Sequence, residues 1–397
     1  MVQSDRLALF DEEIDRREVP ALKTHPMVVG QDGENLFAAG VADMDFKAAA
    51  PIIEAMQKRL DHGVFGYETV PAGLQPALMQ WLQDRHGWLV QADHILTSPN
   101  ILTALAMAAS LFTDEGDAII VQPPVFFDFF DVINENHREI VENPLILDQG
   151  HYRIDFDDLE NKAADPRAKM IYLCNPHNPV GRVWNELELR TLGDICRRHG
   201  VLVVSDEMHG DLAFNGHKYT PFASLGADYA ENCITCISPA KTFNIASCCA
   251  SFTLIADDDM RKAFQVENSR LSVNKNNPFA NVAMEAAYSS GTPWLEAVIA
   301  YLERNVALVR DSLRDIPGIA LVEPEGTFLV WINFNGLGMA PDQLYAFLRN
   351  EAKWPITRGQ SFGKEGNGFA RVNIACTREK LETALGNLES AVGKLQA

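Results

Sequence analysis

Lys241 and Asp206 are the residues of this sequence whose types and positions best suit them to do chemistry together. Asp206 ends the apolar run VLVVSD (201–206), and Lys241 stands three residues after the run CITCIS (233–238). Other polar and aromatic residues follow apolar runs in the same way: Phe126, Asn175, His177, Asn178 and His209. A lysine amine can serve as a nucleophile or a base, and a nearby carboxylate can hold a positive charge in place. The set therefore indicates a site that handles a small polar molecule.

The common nucleotide and zinc motifs are absent from this sequence: no GxGxxG follows an apolar run, and neither GxxxxGK[ST] nor HExxH occurs. A lysine presented beside an aspartate instead indicates pyridoxal 5′-phosphate (PLP), whose aldehyde binds a lysine amine and whose ring nitrogen an aspartate keeps protonated. The phosphate of that cofactor needs free backbone N–H groups at the start of a helix. The segment that begins at Ser98 follows the strand-like run HILT (94–97) and opens an apolar helix, so it can supply them.

Short apolar runs predict the strands that would carry these residues: 118–122, 170–174, 201–206, 233–238 and 251–256. They are rich in β-branched residues, and polar or turn residues follow most of them. Amphipathic stretches lie between them, such as 186–199, which ends at Gly200 as helices often do. Strands that alternate with helices predict an α/β fold in which helices sandwich a mostly parallel sheet. Ligands bind such a sheet at the carboxyl ends of its strands, where the polar residues named above stand.

The pattern changes near residue 280. Two helical stretches within 281–314, with a break at Gly291-Thr-Pro293, come before the apolar strings LVWINF (329–334) and FARVNIA (369–375). Helices packed on a small sheet predict a second, smaller α+β domain. The predicted division is an N-terminal segment that packs with the small domain (1–45), a large cofactor-binding domain (46–280) and a small C-terminal domain (281–397).

The amino-acid composition limits which binding partners and which cellular compartment we expect for this protein. The 397 residues include 34 Lys+Arg and 54 Asp+Glu, a net charge of −20 that repels nucleic acid and anionic membrane surfaces. No apolar run approaches the ~18 residues of a membrane span, and the N-terminal residues lack the pattern of a signal peptide. Cys233 and Cys236 form a CxxC that can be a metal or redox pair, but a second pair and a nearby histidine are missing. We therefore predict a cytoplasmic, reduced protein with no metal.

A set of strings stands in the order and at the spacing of a known family: VADMDF (41–46), FGY (65–67), NPHNPVGRVW (175–184), SDEMHGDL (205–212), SPAKTFNIA (238–246), EGTFLVWINF (325–334) and GQSFGKEGNGFARVNIAC (359–376). Through them the sequence resembles the fold-type-I PLP enzymes of the class I/II aminotransferase superfamily over essentially its whole length. Within that superfamily it resembles the MalY/PatB group, the cystathionine β-lyase type of carbon–sulfur (C–S) lyase. The resemblance implies an aspartate-aminotransferase-like fold.

The resemblance assigns roles to individual residues around the cofactor. Lys241 matches the lysine that carries PLP as a Schiff base, and Asp206 matches the partner of the pyridine nitrogen. Asn178 matches an asparagine that bonds the 3′-oxygen of PLP, and His209 stands where many aminotransferases have a tyrosine near that oxygen. Phe126 sits where an aromatic ring stacks on the pyridine. The resemblance thus implies that PLP is the cofactor and that these side chains contact it.

The same resemblance extends to the phosphate of PLP and to the quaternary structure. Ser238 and the backbone N–H groups of Ile101 and Leu102 would hold the phosphate. Tyr67 matches a tyrosine that reaches the phosphate of the partner subunit. The resemblance therefore implies a homodimer with shared active sites.

For the substrate, the resemblance implies a small amino acid. Arg371 matches the arginine that grips the substrate α-carboxylate, a task that its planar fork suits. Asn178 and Ala42 would line the same substrate site. Two residues depart from the usual lyase pattern, since Phe126 stands where tyrosine is common and Gly40 where tryptophan is common. Both positions border the substrate region.

Several of these residues also have a purely structural interpretation. Those interpretations are a core ring for Phe126, a buried histidine for His209, a surface ion-pair partner for Arg371, an interface aromatic for Tyr67, a helix cap for Asp206 and a solvated surface residue for Lys241. The occurrence of all six together favours the site.

Two reactions are open to these residues, and the resemblance favours the first. A C–S β-lyase would release a thiol, pyruvate and ammonia from a cysteine S-conjugate. An aminotransferase would instead pass the amino group of an amino acid to a keto-acid acceptor. A PLP-binding regulatory protein with little turnover is a third interpretation. Such proteins usually carry a DNA-binding domain, which the negative charge and the fewer than fifty residues before VADMDF (41–46) disfavour.

Overall fold

The computed structural model describes residues 7–16, 18–30, 33, 36–274 and 277–396. Its strands are β1 (Ile95–Ser98), β2 (Ala118–Val121), β3 (Glu139–Glu142), β4 (Ile146–Asp148), β5 (His151–Arg153), β6 (Ala168–Cys174), β7 (Leu202–Asp206), β8 (Cys233–Ile237), β9 (Ser251–Ile255), β10 (Ala320–Val322), β11 (Leu329–Asn333), β12 (Thr357–Arg358) and β13 (Phe369–Asn373). Its α-helices are α1 (Pro26–Val29), α2 (Ala50–His62), α3 (Leu74–His86), α4 (Ile101–Phe112), α5 (Asp128–Glu135), α6 (Phe156–Ala163), α7 (Glu186–His199), α8 (Ala227–Glu231), α9 (Pro239–Thr242), α10 (Asp258–Arg270), α11 (Pro278–Ser290), α12 (Thr292–Arg314), α13 (Pro341–Asn350) and α14 (Arg378–Gln396).

The large sheet has the strand order β1-β9-β8-β7-β6-β2-β3. Strands β3, β2, β6, β7 and β8 run parallel to one another, whereas β9 is antiparallel to both β8 and β1. The prediction of a mostly parallel sheet is therefore confirmed. Strand β3 was not predicted, because it lies at the edge of the sheet and its two glutamates, Glu139 and Glu142, hide the apolar signal of a strand.

Helices cover both faces of this sheet, as the α/β prediction requires. Alternate residues of a strand point to opposite faces, so Val203 joins a core with α6 and α7, while its neighbour Val204 joins a core with α4 and α5. The same alternation separates Cys233 and Cys236, whose side chains lie in these two different cores. Both thiols are free and buried, and burial raises the pKa of each. The two cysteines of the CxxC therefore belong to the interior of β8.

Helix α7 shows how local sequence sets an element. The side chain of Asn185 accepts a hydrogen bond from the backbone N–H of Glu188, and the Glu188 side chain accepts one from the backbone N–H of Asn185. This capping box starts the helix, and Gly200, with a φ of 67°, ends it in the left-handed region. The predicted bounds 186–199 are confirmed.

A second, antiparallel sheet has the order β10-β11-β13-β12. Its strands β11 and β13 are the predicted strings LVWINF and FARVNIA, and the predicted helix break at Gly291 separates α11 from α12. The chain between 36 and 45 runs beside this sheet, where the backbone N–H of Phe37 donates to the carbonyl of Lys353 at 2.8 Å and that of Asn373 donates to Ala39 at 2.9 Å. The exact domain boundaries stay a prediction.

Within the described ranges, no helix is long and apolar enough to cross a membrane. No group of three or more histidine, cysteine, aspartate or glutamate side chains among those residues could hold a metal ion.

Candidate active site

Lys241 lies in the short helix α9, directly beyond the carboxyl end of β8. The Ser238 hydroxyl starts this helix by accepting a hydrogen bond from the backbone N–H of Ala240 at 3.1 Å, and Pro239 occupies the first turn. The Nζ of Lys241 donates to the carbonyl oxygen of Ala42 at 2.6 Å. Two residues that were predicted to share the site, 199 positions apart in the chain, are thus in direct contact.

The surroundings of Lys241 weaken its hold on a proton. The pKa of Lys241 is lowered to about 8, mainly by burial and also by the positive charge of Arg371, whereas Asp43, Asp206 and Asp128 act in the opposite direction. A useful fraction of the amine is therefore neutral near neutral pH, as a nucleophile or base requires.

Asp206 is the last residue of β7, beside Lys241 at the same edge of the sheet. Its Oδ1 accepts a hydrogen bond from the backbone N–H of Met208 at 3.1 Å. Burial raises the pKa of Asp206, and the Met208 hydrogen bond and the charge of Lys241 partly offset this effect, so that the pKa is about 6. The carboxyl group is therefore mostly ionised at neutral pH and would gain from a cationic partner.

Arg371, in β13, reaches the same edge from the small sheet. Its Nη1 donates to Oδ1 of Asn178 at 3.1 Å and its Nη2 to the carbonyl of Gly40 at 2.8 Å, while Nε is buried without a hydrogen-bond partner. Its guanidinium lies 4.9 Å from the ring centroid of Phe362. Burial lowers the pKa of Arg371 to about 10. Within the described chain this buried cation has only neutral hydrogen-bond partners, which suits it to bind the carboxylate of a ligand.

His209 is buried, and the charges of Lys241 and Arg371 both act on it. Burial, together with the charges of Lys241 and Arg371, lowers the pKa of His209 to about 3, so the ring is neutral at physiological pH. Its Nδ1 is buried and has no hydrogen-bond partner among the described residues. The ring packs edge-on against Phe328, with centroids 5.9 Å apart. A buried ring nitrogen of this kind is available to a bound molecule.

The predicted phosphate end of the site lies at the start of α4. Oδ1 of Asn100 accepts a hydrogen bond from the backbone N–H of Thr103 at 2.8 Å and so caps the helix. The N–H groups of Ile101 and Leu102 belong to the first turn, where they have no partner within the helix. Ser238 uses its hydroxyl to donate to the Ala250 carbonyl at 2.6 Å. Asn100 escaped the sequence analysis, although an asparagine before an apolar helix is a recognisable cap.

The two predicted aromatic residues have different surroundings. Phe126 is half-buried, and its ring packs against Phe127 (5.2 Å) and edge-on against Phe129 (5.9 Å). Tyr67 is fully exposed in this chain, so the structure does not bring it to the site. The stacking role of Phe126 and the cross-subunit role of Tyr67 stay predictions.

Two asparagines hold the VADMDF segment in place: Asn373 is buried and Asn244 is half-buried. The sequence analysis did not identify either of them. Nδ2 of Asn373 donates to the carbonyls of Val41 at 2.7 Å and Asp43 at 2.6 Å. Nδ2 of Asn244 donates to the carbonyls of Met44 at 2.9 Å and Phe46 at 2.8 Å. These bonds fix the loop from which Ala42 meets Lys241. Their one signal in the sequence is a polar residue inside the strings FARVNIA and SPAKTFNIA.

The residues present fit PLP. Lys241 offers an amine that loses its proton readily, Asp206 a buried carboxylate for a ring N–H⁺, and His209 an unpartnered Nδ1. The first turn of α4 offers N–H groups to a phosphate. The Nδ2 of Asn178 is left to donate, because its Oδ1 already accepts from Arg371.

Comparison with known proteins agrees with this fit. Residues 35–388 match the family described as "Aminotransferase class I and II". The chain is 43% identical to cystathionine beta-lyase PatB of Bacillus subtilis, over 89% of this chain and 91% of that protein. Among solved structures it is similar to a PLP-bound putative aminotransferase from Clostridium difficile (TM-score 0.94, 38% identity, 96% of this chain and 99% of that one). It is also similar to the PLP-bound C–S lyase from Staphylococcus hominis (TM-score 0.90, 31% identity, 96% and 97%).

Proposed function

Because the chain belongs to the class I and II aminotransferase family, we propose that it is a PLP-dependent C–S β-lyase of the cystathionine β-lyase type. It converts a cysteine S-conjugate and water into a thiol, pyruvate and ammonium. One observation carries the choice of reaction: a relative with 43% identity over nine tenths of both chains is a cystathionine β-lyase. The matched range 35–388 includes every residue assigned to the site here.

Each site residue has a task in this reaction. Arg371 binds the α-carboxylate of the substrate and so orients the Cα–H bond. Lys241 anchors the cofactor and, once free, accepts the Cα proton at its Nζ, which the Ala42 carbonyl holds in place. PLP, when bound, supplies an electron-withdrawing ring that makes this proton acidic enough to move. Asp206, His209 and Asn178 hold that ring, and the N–H groups at the start of α4 hold its phosphate.

The reaction type has a direct test. We expect the purified holoenzyme to release pyruvate, ammonium and a free thiol from L-cystathionine in equal amounts with no keto acid added. The reason is that a thiolate leaves readily from the carbon next to Cα, and each ~1.4 kcal/mol between competing barriers changes the partition tenfold. Pyruvate, ammonium and thiol are assayed together, with L-alanine as a control because it has no β leaving group. Sustained formation of a keto acid only when an acceptor is present, without thiol, would assign the protein to the aminotransferases.

The quaternary structure and compartment extend this proposal. We propose a homodimer in which Tyr67 of each chain completes the partner's site, and the full exposure of Tyr67 in this chain supports it. The neighbouring side chains Val64, Phe65 and Val70 are exposed as well, as expected of an apolar patch that a second copy covers. All seven cysteines are free thiols, which supports a cytoplasmic location.

The shared site predicts complementation between two inactive chains. Co-expression of a Lys241→Ala chain with a Tyr67→Phe chain should restore up to about a quarter of the wild-type specific activity, since one site of each heterodimer carries neither change. Lys241→Ala combined with Arg371→Ala is the matched control. These two residues act within one chain, so every site of that heterodimer is damaged and no activity should return. A fully active monomer in sedimentation, or equal recovery in both mixtures, would refute the shared site.

A further inference from the structure

A cluster of five charged residues lies behind the VADMDF segment, and the proposed reaction does not use it. Its members are Arg16, Lys23, Asp43, Asp45 and Lys380. The Oδ1 of Asp45 accepts hydrogen bonds from Lys23 at 2.9 Å and from Arg16 at 3.0 Å, and its Oδ2 accepts one from Lys380 at 2.9 Å. Asp45 is 9% exposed and Lys23 only 2%. One buried carboxylate therefore binds three cations that come from opposite ends of the chain.

This cluster contacts the peptide that touches the catalytic lysine. Arg16 binds the carboxylate of Asp43 through both Nη atoms, at 2.7 and 3.2 Å, and the Nζ of Lys23 donates to the backbone carbonyl of Asp43 at 3.3 Å. Ala42 comes directly before Asp43, and its carbonyl accepts from the Nζ of Lys241 at 2.6 Å. Because the peptide bond between Ala42 and Asp43 is planar, holding Asp43 on two sides limits the rotation of the Ala42 carbonyl.

The opposite end of the same loop is held by different contacts. The carbonyl of Gly40 accepts from Arg371 at 2.8 Å and from the Thr357 hydroxyl at 2.7 Å, and the backbone N–H of Ala39 donates to the Pro355 carbonyl at 3.2 Å. No member of the charged cluster takes part in these bonds. The cluster is therefore placed to act on the lysine of the site and not on the arginine that we assign to the substrate carboxylate.

We propose that Lys23 is a positioning residue for Lys241, which it serves by fixing the orientation of the Ala42 carbonyl from behind the loop. A base acts only within reach of the proton that it accepts, so a carbonyl that holds its Nζ in one place aids the transfer. A buried ammonium has few alternative partners, and salt screens its ion pair with Asp45 only weakly. The effect on turnover rests on the proposed lyase function, whereas the effect on cofactor capture rests on PLP binding alone.

Lys23→Met tests this role, because methionine can fill the buried position without a charge and Asp45 keeps Arg16 and Lys380 as partners. We expect kcat for L-cystathionine to fall about tenfold while KM stays within about twofold of the wild-type value, since the Arg371 end of the loop is held separately. Steady-state kinetics is measured at a temperature at which circular dichroism shows each variant folded. Lys23→Gln, which also loses the charge, serves in its place if Lys23→Met does not fold.

Two variants make this test specific. Lys23→Arg keeps a cation that can bind Asp45 and should recover most of the lost kcat. Lys47→Met is the matched control, because Lys47 pairs with Glu12 at 2.6 Å and so also joins the first residues of the chain to the VADMDF region, but both partners are exposed. An exposed ion pair contributes little, so this change should leave kcat and KM at their wild-type values.

Capture of PLP by the full-length apoprotein separates this inference from the proposed reaction. The rise of visible absorbance after PLP is added reports bond formation at Lys241 and does not depend on elimination. We expect its rate constant to fall about tenfold in Lys23→Met and to be unchanged in Lys47→Met. Slower capture in a protein that releases no pyruvate from L-cystathionine would reject the lyase and uphold the positioning role. An unchanged capture rate, or a KM that rises as much as kcat falls, would overturn the inference.

Discussion

Replacing Lys241 with alanine is expected to lower kcat for L-cystathionine by about 10⁴-fold or more. The change removes both the anchor of the cofactor and the base that takes the Cα proton, because one Nζ, in contact with the Ala42 carbonyl, performs both tasks. Alanine is a good helix former, so α9 and the cap from Ser238 should persist. The variant should also lose the visible absorbance of the lysine-bound cofactor while its circular dichroism stays that of the wild type.

Chemical labelling identifies the lysine independently of activity. Borohydride reduction of the holoenzyme, followed by digestion and mass spectrometry, should place the pyridoxyl group on Lys241. Lys262→Ala is the matched control, since Lys262 is an exposed surface lysine and its removal should leave turnover and labelling intact. A pyridoxyl group recovered mainly on a different lysine would contradict the assignment.

Arg371→Met is expected to raise KM for L-cystathionine by about 100-fold or more, since losing one partner of a buried charge pair costs about 2–5 kcal/mol. Methionine can fill the buried position in β13, but it cannot bind the substrate carboxylate or donate to Gly40 and Asn178. Because the charge of Arg371 lowers the pKa of Lys241, this pKa should rise in the variant. Steady-state kinetics gives the first effect. The pH dependence of PLP uptake by the apoprotein gives the second, with its midpoint moving to higher pH.

Two further variants make the Arg371 prediction specific. Arg371→Lys keeps the positive charge but loses the planar fork, so KM should lie between those of the wild type and Arg371→Met. Arg358→Ala removes an exposed arginine from the neighbouring strand β12 and should leave KM unchanged. An unchanged KM in Arg371→Met, with a normal thermal midpoint, would show that the α-carboxylate binds elsewhere.

Much of the fold could be predicted because its signals are local. Buried parallel strands need continuous apolar runs, and β6, β7 and β8 are such runs with nearly every residue buried. Helix α7 carries its own start and stop in Asn185 and Gly200. Strands that depend on pairing with a neighbouring strand were not predicted. Strand β3 is a half-exposed edge strand, and β12 has only two residues, which pair with β13. Their own residues give no periodic signal, so the pairing partner decides them.

The candidate site likewise has some features that the sequence predicted and others that only the tertiary structure shows. Residue type and position at strand ends were enough to single out Asp206, Asn178 and Lys241, because parallel strands end at one common edge. The contact of Lys241 with Ala42 and the bond between Arg371 and Asn178 join residues 199 and 193 positions apart, so only the complete packing could reveal them. The same holds for the protonation states, since no local sequence specifies how much water a group loses. Burial in the assembled core brings the pKa of Lys241 down to about 8 and that of Asp206 up to about 6, because a charge in a dry interior is costly wherever the chain has placed it.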